Sequence, residues 1–192
     1  MPDPYSWPGT ECLRNRLGIT NGSQLAALEA KIVSIREVEI AQETIPGDYN
    51  LEHLKLFHHA LFRDVYDWAG ETRTVDIAKT GSQFCHWRFV DDQVSAVLAE
   101  LAGDGHLIGY NRSAFVQALA HYYGELNARH PFREGNGRSL RAFLRQLAAA
   151  AGYHLDWSEL SKHDNVRACR ENLLTADTKL LVSVLDPVVR RI

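Results

Sequence analysis

A mainly helical fold with one β-hairpin is what this sequence predicts, on three observations. Apolar residues recur at i, i+3, i+4 and i+7 through most of the chain. One stretch, residues 72–78, alternates with a period of two instead. The 192 residues, 45% hydrophobic and 23% charged, suit one domain able to bury its own core.

Taken in order, residues 1–22 carry Pro2, Pro4, Pro8, Gly9, Gly18 and Gly22 and read as an irregular lead-in. A short helix is expected around Glu11 to Leu17, with Tyr5 and Trp7 pinning the segment to the body. The domain proper is expected over 23–192. Ser23 is a suitable N-cap for a helix whose apolar stripe would be Leu25, Leu28, Ile32, Ile35 and Val38 or Glu39, ending before Pro46-Gly47. Asn50 caps the next, with Leu51, Leu54, Phe57, Leu61 and Phe62 inward. His58 and His59 point about 100° apart on such a helix, cannot chelate one metal, and read as surface or core-edge residues.

Arg73, Val75 and Ile77 then alternate with Thr72, Thr74, Asp76 and Ala78, and Lys79-Thr80-Gly81-Ser82 supplies turn residues. A hairpin over about 72–86 follows. A lone hairpin is marginal, so it must lie against the body or use its edge, for instance to pair with an extended peptide. Asp91 or Asp92 starts a helix through Val94, Val97, Leu98 and Leu101. Asn111 or Ser113 caps another with Phe115, Ala118, Leu119, Tyr122 and Leu126 on one face; its His121 reads as an interior or groove histidine. Pro131 disfavours helical geometry at His130, so the chain loops through Gly135-Asn136-Gly137 and re-enters a helix with Leu140, Phe143, Leu144 and Leu147 inward, capped by Gly152. Two further helices are expected, from Ser158 or Ser161 to Ala176 and from Asp177 or Thr178 to near Pro187.

Charge and cysteine usage narrow the function. A net charge of −3 gives no reason to expect nucleic-acid binding. Against that background Arg133, Arg138, Arg141 and Arg145 crowd into thirteen residues, which points to a discrete anionic ligand. Cys12, Cys85 and Cys169 are odd in number and form no CxxC pair, so neither a disulfide framework nor a zinc site is indicated, and a reducing, cytoplasmic setting is expected. Met1-Pro2-Asp3-Pro4 is no signal peptide, and no apolar run is long enough to span a membrane.

The chemistry concentrates in residues 130–141, His-Pro-Phe-Arg-Glu-Gly-Asn-Gly-Arg-Ser-Leu-Arg. A helix N-terminus presents unpaired N–H groups and the positive end of the helix dipole to an anion. Gly135 and Gly137 let the backbone approach it, and Asn136 between them tolerates unusual geometry. Glu134 is one hard oxygen ligand beside this cradle, and one carboxylate plus phosphate oxygens is the usual way to hold Mg²⁺. Arg138 and Arg141 can fork onto phosphate oxygens, and His130 can take a proton from a hydroxyl. The set reads as transfer of a phosphate-containing group to a hydroxyl. It is neither a Walker loop nor the protein-kinase set, whose sequences are absent.

These residues resemble the Fic family signature, HxFx(D/E)GNGRxxR, with every position filled from His130 to Arg141. Trp68-Ala69-Gly70 and the hairpin resemble that family's flap. The resemblance implies a Fic-type helical bundle and transfer of AMP from ATP to a Ser, Thr or Tyr hydroxyl of a target protein. It implies His130 as general base, Phe132 as the loop's core anchor and Glu134 as the Mg²⁺ ligand. Gly135, Asn136 and Gly137 would form the anion hole, Arg138 would clamp the β-phosphate and Arg141 the γ-phosphate. Around Thr74 to Gly81 the flap would align the target, with Thr74, Ile77, Lys79 and Thr80 as candidate contacts to target or nucleotide. A branch with Lys at the second signature glycine acts as a kinase; Gly137 stands here, which favours adenylyl transfer.

Many members of the family carry an inhibitory (S/T)xxxE(G/N) helix whose glutamate pairs with the second signature arginine. Glu171-Asn172 fits its last two positions, but Arg167 stands where Ser or Thr belongs. The resemblance therefore implies either a constitutively active enzyme or, preferred here, a bacterial toxin held by a small antitoxin carrying that motif, with a type II topoisomerase subunit as one target class; secretion as an effector stays open. Two other readings stay open too: a Fic-fold enzyme that transfers another phosphate-containing group or removes AMP, and a non-catalytic nucleotide-binding module.

Overall fold

The structure, a computed structural model, describes residues 3–79 and 82–192, with residues 79 and 82 described by backbone alone. Seven α-helices dominate the described residues: α1 (Gly22–Gln42), α2 (Leu51–Phe62), α3 (Val90–Gly103), α4 (Arg112–Arg129), α5 (Asn136–Ala150), α6 (Lys162–Thr175) and α7 (Lys179–Leu185). Strand β1 (Ala78–Lys79) pairs antiparallel with β2 (Ser82–Gln83), and β3 (Tyr153–Leu155) with β4 (Val189–Arg191). The mainly helical class with a small hairpin is thus present.

Asparagines start three of the helices. Asn21, Asn50 and Asn111 accept from the backbone N–H groups of Gln24, His53 and Ala114 at 2.9–3.0 Å, and each such cap stabilises by about 1 kcal/mol. The first of these replaces the expected Ser23 cap. Ser161 accepts from Asp164 N–H and opens α6. At the centre α5 packs between α2 and α4. Phe57 of α2 meets Phe143 of α5 edge-on at 5.7 Å between ring centroids, and Phe115 of α4 stacks on Tyr153 at 4.1 Å. Gly152, with φ +85°, closes α5 as expected.

Several expectations are corrected. No helix forms over 11–17; the lead-in is held instead by a bridge between Ser6 and Leu13, with Trp7 Nε1 donating to the Ile19 carbonyl. The buried stripe of α1 is Leu25, Glu29 and Val33, while Leu28, Ile35 and Val38 are 38, 62 and 59% exposed. A carboxylate takes an inward position because distant partners meet it there, which periodicity cannot reveal. His58 is fully buried and His121 exposed, the reverse of both expectations. The hairpin is shorter than 72–86: residues 72–77 form no ladder, since the Arg73 side chain turns into the body. The β3–β4 pair comes as a second small sheet, too short and too far apart in sequence to leave a pattern.

Candidate active site

The signature loop is built from its backbone outward. α4 ends at His130, whose φ of 46° and ψ of 65° place it in the left-handed region and turn the chain out of the helix. Phe132 then plunges into the core, 1% exposed, and stacks on the His58 ring at 3.9 Å. Asn136 clasps the loop: its Oδ1 accepts from Phe132 N–H at 2.7 Å and its Nδ2 donates to the Phe132 carbonyl at 2.6 Å. Its side chain therefore shapes the loop rather than reaching outward. Gly135 is the N-cap of α5 at φ +79°, and a Cβ there would lie 2.3 Å from the Phe62 ring. Only glycine fits. The amides of Asn136 and Gly137, opening α5, have no helical acceptor.

His130 is 7% exposed, and its ring stacks on Phe84 beside β2 at 3.8 Å. Its Nδ1 lies 2.9 Å from the Asn127 carbonyl. A carbonyl only accepts, so Nδ1 carries the proton and Nε2 the lone pair. That is the tautomer a general base needs. His130 lines two sizeable cavities, besides a crevice of about 10 Å³ beside Leu54 and Leu140. One, of about 310 Å³, is bounded by Phe84, Tyr123, Asn127, Gly137, Arg141 and Asn165 among others. The other, of about 250 Å³, is bounded by Asp76, Ile77, Ala78, Arg133, Glu134 and Asn136. The two meet at the histidine.

The arginines separate into different roles. Arg138 lies 2.6 Å from a carboxylate oxygen of Glu29 and 3.5 Å from Glu134, with its guanidinium 4.7 Å above the Phe62 ring. Arg141 lines the larger cavity and has no carboxylate partner among the described residues. Arg133 pairs with Asp3 at 2.6 Å. Arg145 donates to the Ile40 carbonyl at the α1 side, so it leaves the expected cluster. Glu134 Oε1 accepts from Gly135 N–H at 2.8 Å. No group of three or more His, Cys, Asp or Glu stands together as a metal cage among the described residues.

Of the flap candidates, Ile77 lines the smaller cavity, whereas Thr74 turns to the lead-in, where its N–H and hydroxyl meet the Tyr5 hydroxyl. Thr80 lies outside the described residues, as does the Lys79 side chain.

Three residues that sequence reasoning missed hold the site. Arg73, buried, donates to the carbonyls of His130, Val75, Arg129 and Cys85. Its own N–H donates to the Pro131 carbonyl at 2.8 Å. Burial lowers its pKa. His58 accepts from Gly70 N–H at Nδ1, so Nε2 carries the proton and donates to the Glu134 carbonyl at 3.1 Å. Burial pushes its pKa down to about 3. Glu29 is 7% exposed and meets both Arg138 and the Tyr66 hydroxyl. The only hint of these roles in the sequence is a histidine or a charge at an inward position of an amphipathic pattern.

Comparisons with known proteins agree with this geometry. Residues 48–148 match the model of the Fic/DOC family. The chain is 44% identical over 170 residues to the protein adenylyltransferase VbhT of Bartonella schoenbuchensis, covering 88% of this chain and 36% of that protein. It is 39% identical to the "Probable protein adenylyltransferase Fic" of Escherichia coli K12, covering 83% of this chain and 79% of that protein. The chain thus spans about a third of the first relative and about four fifths of the second. The crystal structure of BepC of Bartonella tribocorum with bound AMPPNP superposes with a TM-score of 0.93 at 25% identity, covering 98% of this chain and 97% of that one. No helix of the described residues is long and apolar enough to cross a membrane. By sequence and by fold, the chain belongs to the Fic/DOC family.

Proposed function

We propose that this chain is a protein adenylyltransferase that moves AMP from ATP to a Ser, Thr or Tyr hydroxyl of a target protein. The observation that carries this reading is His130 held as the Nδ1–H tautomer beside the open amides of α5. In this reading Nε2 takes the acceptor hydroxyl's proton while the oxygen attacks the α-phosphorus. The bond to the bridging oxygen on the β-phosphate side breaks, and pyrophosphate leaves. The amides at Asn136 and Gly137 face the charge that develops on the α-phosphate. Arg138 takes the β-phosphate and Arg141 the γ-phosphate.

Glu134 suits Mg²⁺ bound with a nucleotide. Its Oε2 has no protein partner among the described residues, and the other acid bordering the same cavity, Asp76, is taken up by Trp87 N–H, Arg73 and His86. Such a single-carboxylate site relies on phosphate oxygens for the rest of the shell. When bound, the ion would neutralise polyphosphate charge. The AMPPNP in BepC and the adenylyltransferase names of the relatives support nucleotide binding and adenylyl transfer.

The proposal extends to control. A cytoplasmic bacterial toxin restrained by a small antitoxin bearing (S/T)xxxE(G/N) fits a chain whose Arg141 has no carboxylate partner among the described residues. A type II topoisomerase subunit is the target class to try first. The test is incubation with Mg²⁺ and ATP labelled at the α-phosphate, followed by mass spectrometry of labelled protein. AMP on a hydroxyl side chain is expected. A different added group points to another transferase of this fold, and nucleotide binding without transfer points to a binding module.

A further inference from the structure

We propose that Glu29 is a positioning residue for Arg138, fixing the guanidinium so that the β-phosphate meets it already oriented. This deepens the adenylyl-transfer reading and rests on it.

Glu29 lies outside residues 48–148, on α1, a helix that buries only two other side chains, Leu25 and Val33. It occupies the middle of that buried stripe at 7% exposure. A carboxylate taken out of water is costly unless paired, and an apolar residue at such a place commonly serves stability as well or better. Packing of α1 therefore gives no reason for an acid here. Its partners do. One oxygen accepts from Arg138 Nη2 at 2.6 Å. The other accepts from the hydroxyl of Tyr66, a residue 1% exposed and stacked on Trp68 at 4.2 Å. Burial, and after it the hydrogen bond to Glu29, raises the pKa of the Tyr66 phenol, so it stays a donor.

The guanidinium is thus fixed in two ways. Phe62 supports its face and Glu29 holds one edge. Its Nε and Nη1 have no protein acceptor among the described residues, which leaves their three N–H groups for phosphate oxygens. An arginine carries much rotamer freedom, and holding it before the ligand arrives removes that cost from binding. Arg141, the other signature arginine, has no such carboxylate among the described residues. The orienting contact is specific to Arg138.

The opposing effect is repulsion between Glu29 and the polyphosphate, and the two have opposite signs in a binding measurement. The experiment titrates the full chain and its Glu29→Ala, Glu29→Gln and Tyr66→Phe variants with ATP, ADP and AMP in the presence of Mg²⁺, by calorimetry. Urea unfolding of each variant runs alongside. AMP lacks the β-phosphate and is the internal control. Glu29→Ala should weaken ATP and ADP by about tenfold and AMP by less than about twofold, as loss of one charge-assisted contact predicts. In the transfer assay KM for ATP should rise with little change in kcat. Glu29→Gln, which keeps an acceptor, should recover part of the loss, and Tyr66→Phe should shift affinity the same way by less. Equal weakening of all three nucleotides would make Glu29 a bolt between α1 and α5 and overturn the proposal. So would unchanged or tighter ATP binding. If the wild type transfers AMP while Glu29→Ala binds ATP normally, only the role of Glu29 falls. If the wild type neither binds ATP nor transfers AMP, the adenylyl-transfer reading falls and takes this one with it.

Discussion

His130 sits in a left-handed backbone position that few non-glycine residues occupy, and its neighbours keep it there. Its carbonyl is held by Arg73 and its Nδ1 by Asn127 O. Replacing it with Ala should cut transfer by about 10²–10⁴-fold, while nucleotide affinity, measured by calorimetry, stays near wild type because the cradle lies in other residues. Gly135→Ala should fail differently. It puts a Cβ at φ +79° into the Phe62 ring, so the fold should lose about 1–3 kcal/mol, read from the urea midpoint. His58 predicts a pH dependence. Burial holds its pKa at about 3, below the ordinary 6.5, so between those values the unfolded chain binds a proton that the folded chain does not. Stability is then full above about pH 6.5 and falls as pH drops, by up to about 1.4 kcal/mol per unit from this residue. Unfolding measured across that window should show a flatter acid slope in His58→Gln than in wild type. The residues of the signature were legible because the chemistry is local: base, acid, glycines and arginines lie within one loop. His58, Arg73 and Glu29 were not legible, because for each a partner that makes the buried polar group tolerable lies 57 to 109 positions away.

Among the elements, the hairpin root and α5 matter most. Arg73 ties four carbonyls from both sides of the site, and Cys85 N–H donates to the Ala128 carbonyl at 3.2 Å. The short β1–β2 ladder is thereby fastened to the end of α4. Removing the guanidinium leaves several buried carbonyls without donors, so Arg73→Met should cost about 3 kcal/mol or more and Arg73→Lys should recover only part. Amide exchange at residues 84–86 should quicken in both variants; unchanged protection there would contradict the role. All seven α-helices were readable from their apolar period, although the expected helix over 11–17 does not form and the cap of α1 is Asn21, not Ser23. The hairpin was half readable. Arg73, Val75 and Ile77 alternate like a strand, yet Arg73 is buried among the backbone carbonyls it donates to and the ladder begins only at Ala78. The face of α1 was misread for the same reason, with Glu29 inward and Ile35 outward. A pair as short as β3 and β4 carries too few side chains to show a period.

Across the whole molecule, segments outside residues 48–148 close around the site. Asp3 reaches Arg133, Tyr5 meets Thr74 and Trp68, and α1 supplies Glu29. Binding at such a site should stabilise the whole fold. ATP with Mg²⁺ at a hundred times its dissociation constant should add about 2.7 kcal/mol and raise the unfolding temperature by several degrees. Arg141→Ala should lessen that shift for ATP more than for ADP. Transfer of AMP to protein with His130 as base is tested most directly by mixing wild type and His130→Ala in turn with a bacterial lysate, Mg²⁺ and ATP labelled at the α-phosphate. One or a few proteins should carry AMP with wild type and almost none with the variant. Equal labelling by both, or none by wild type, would contradict it.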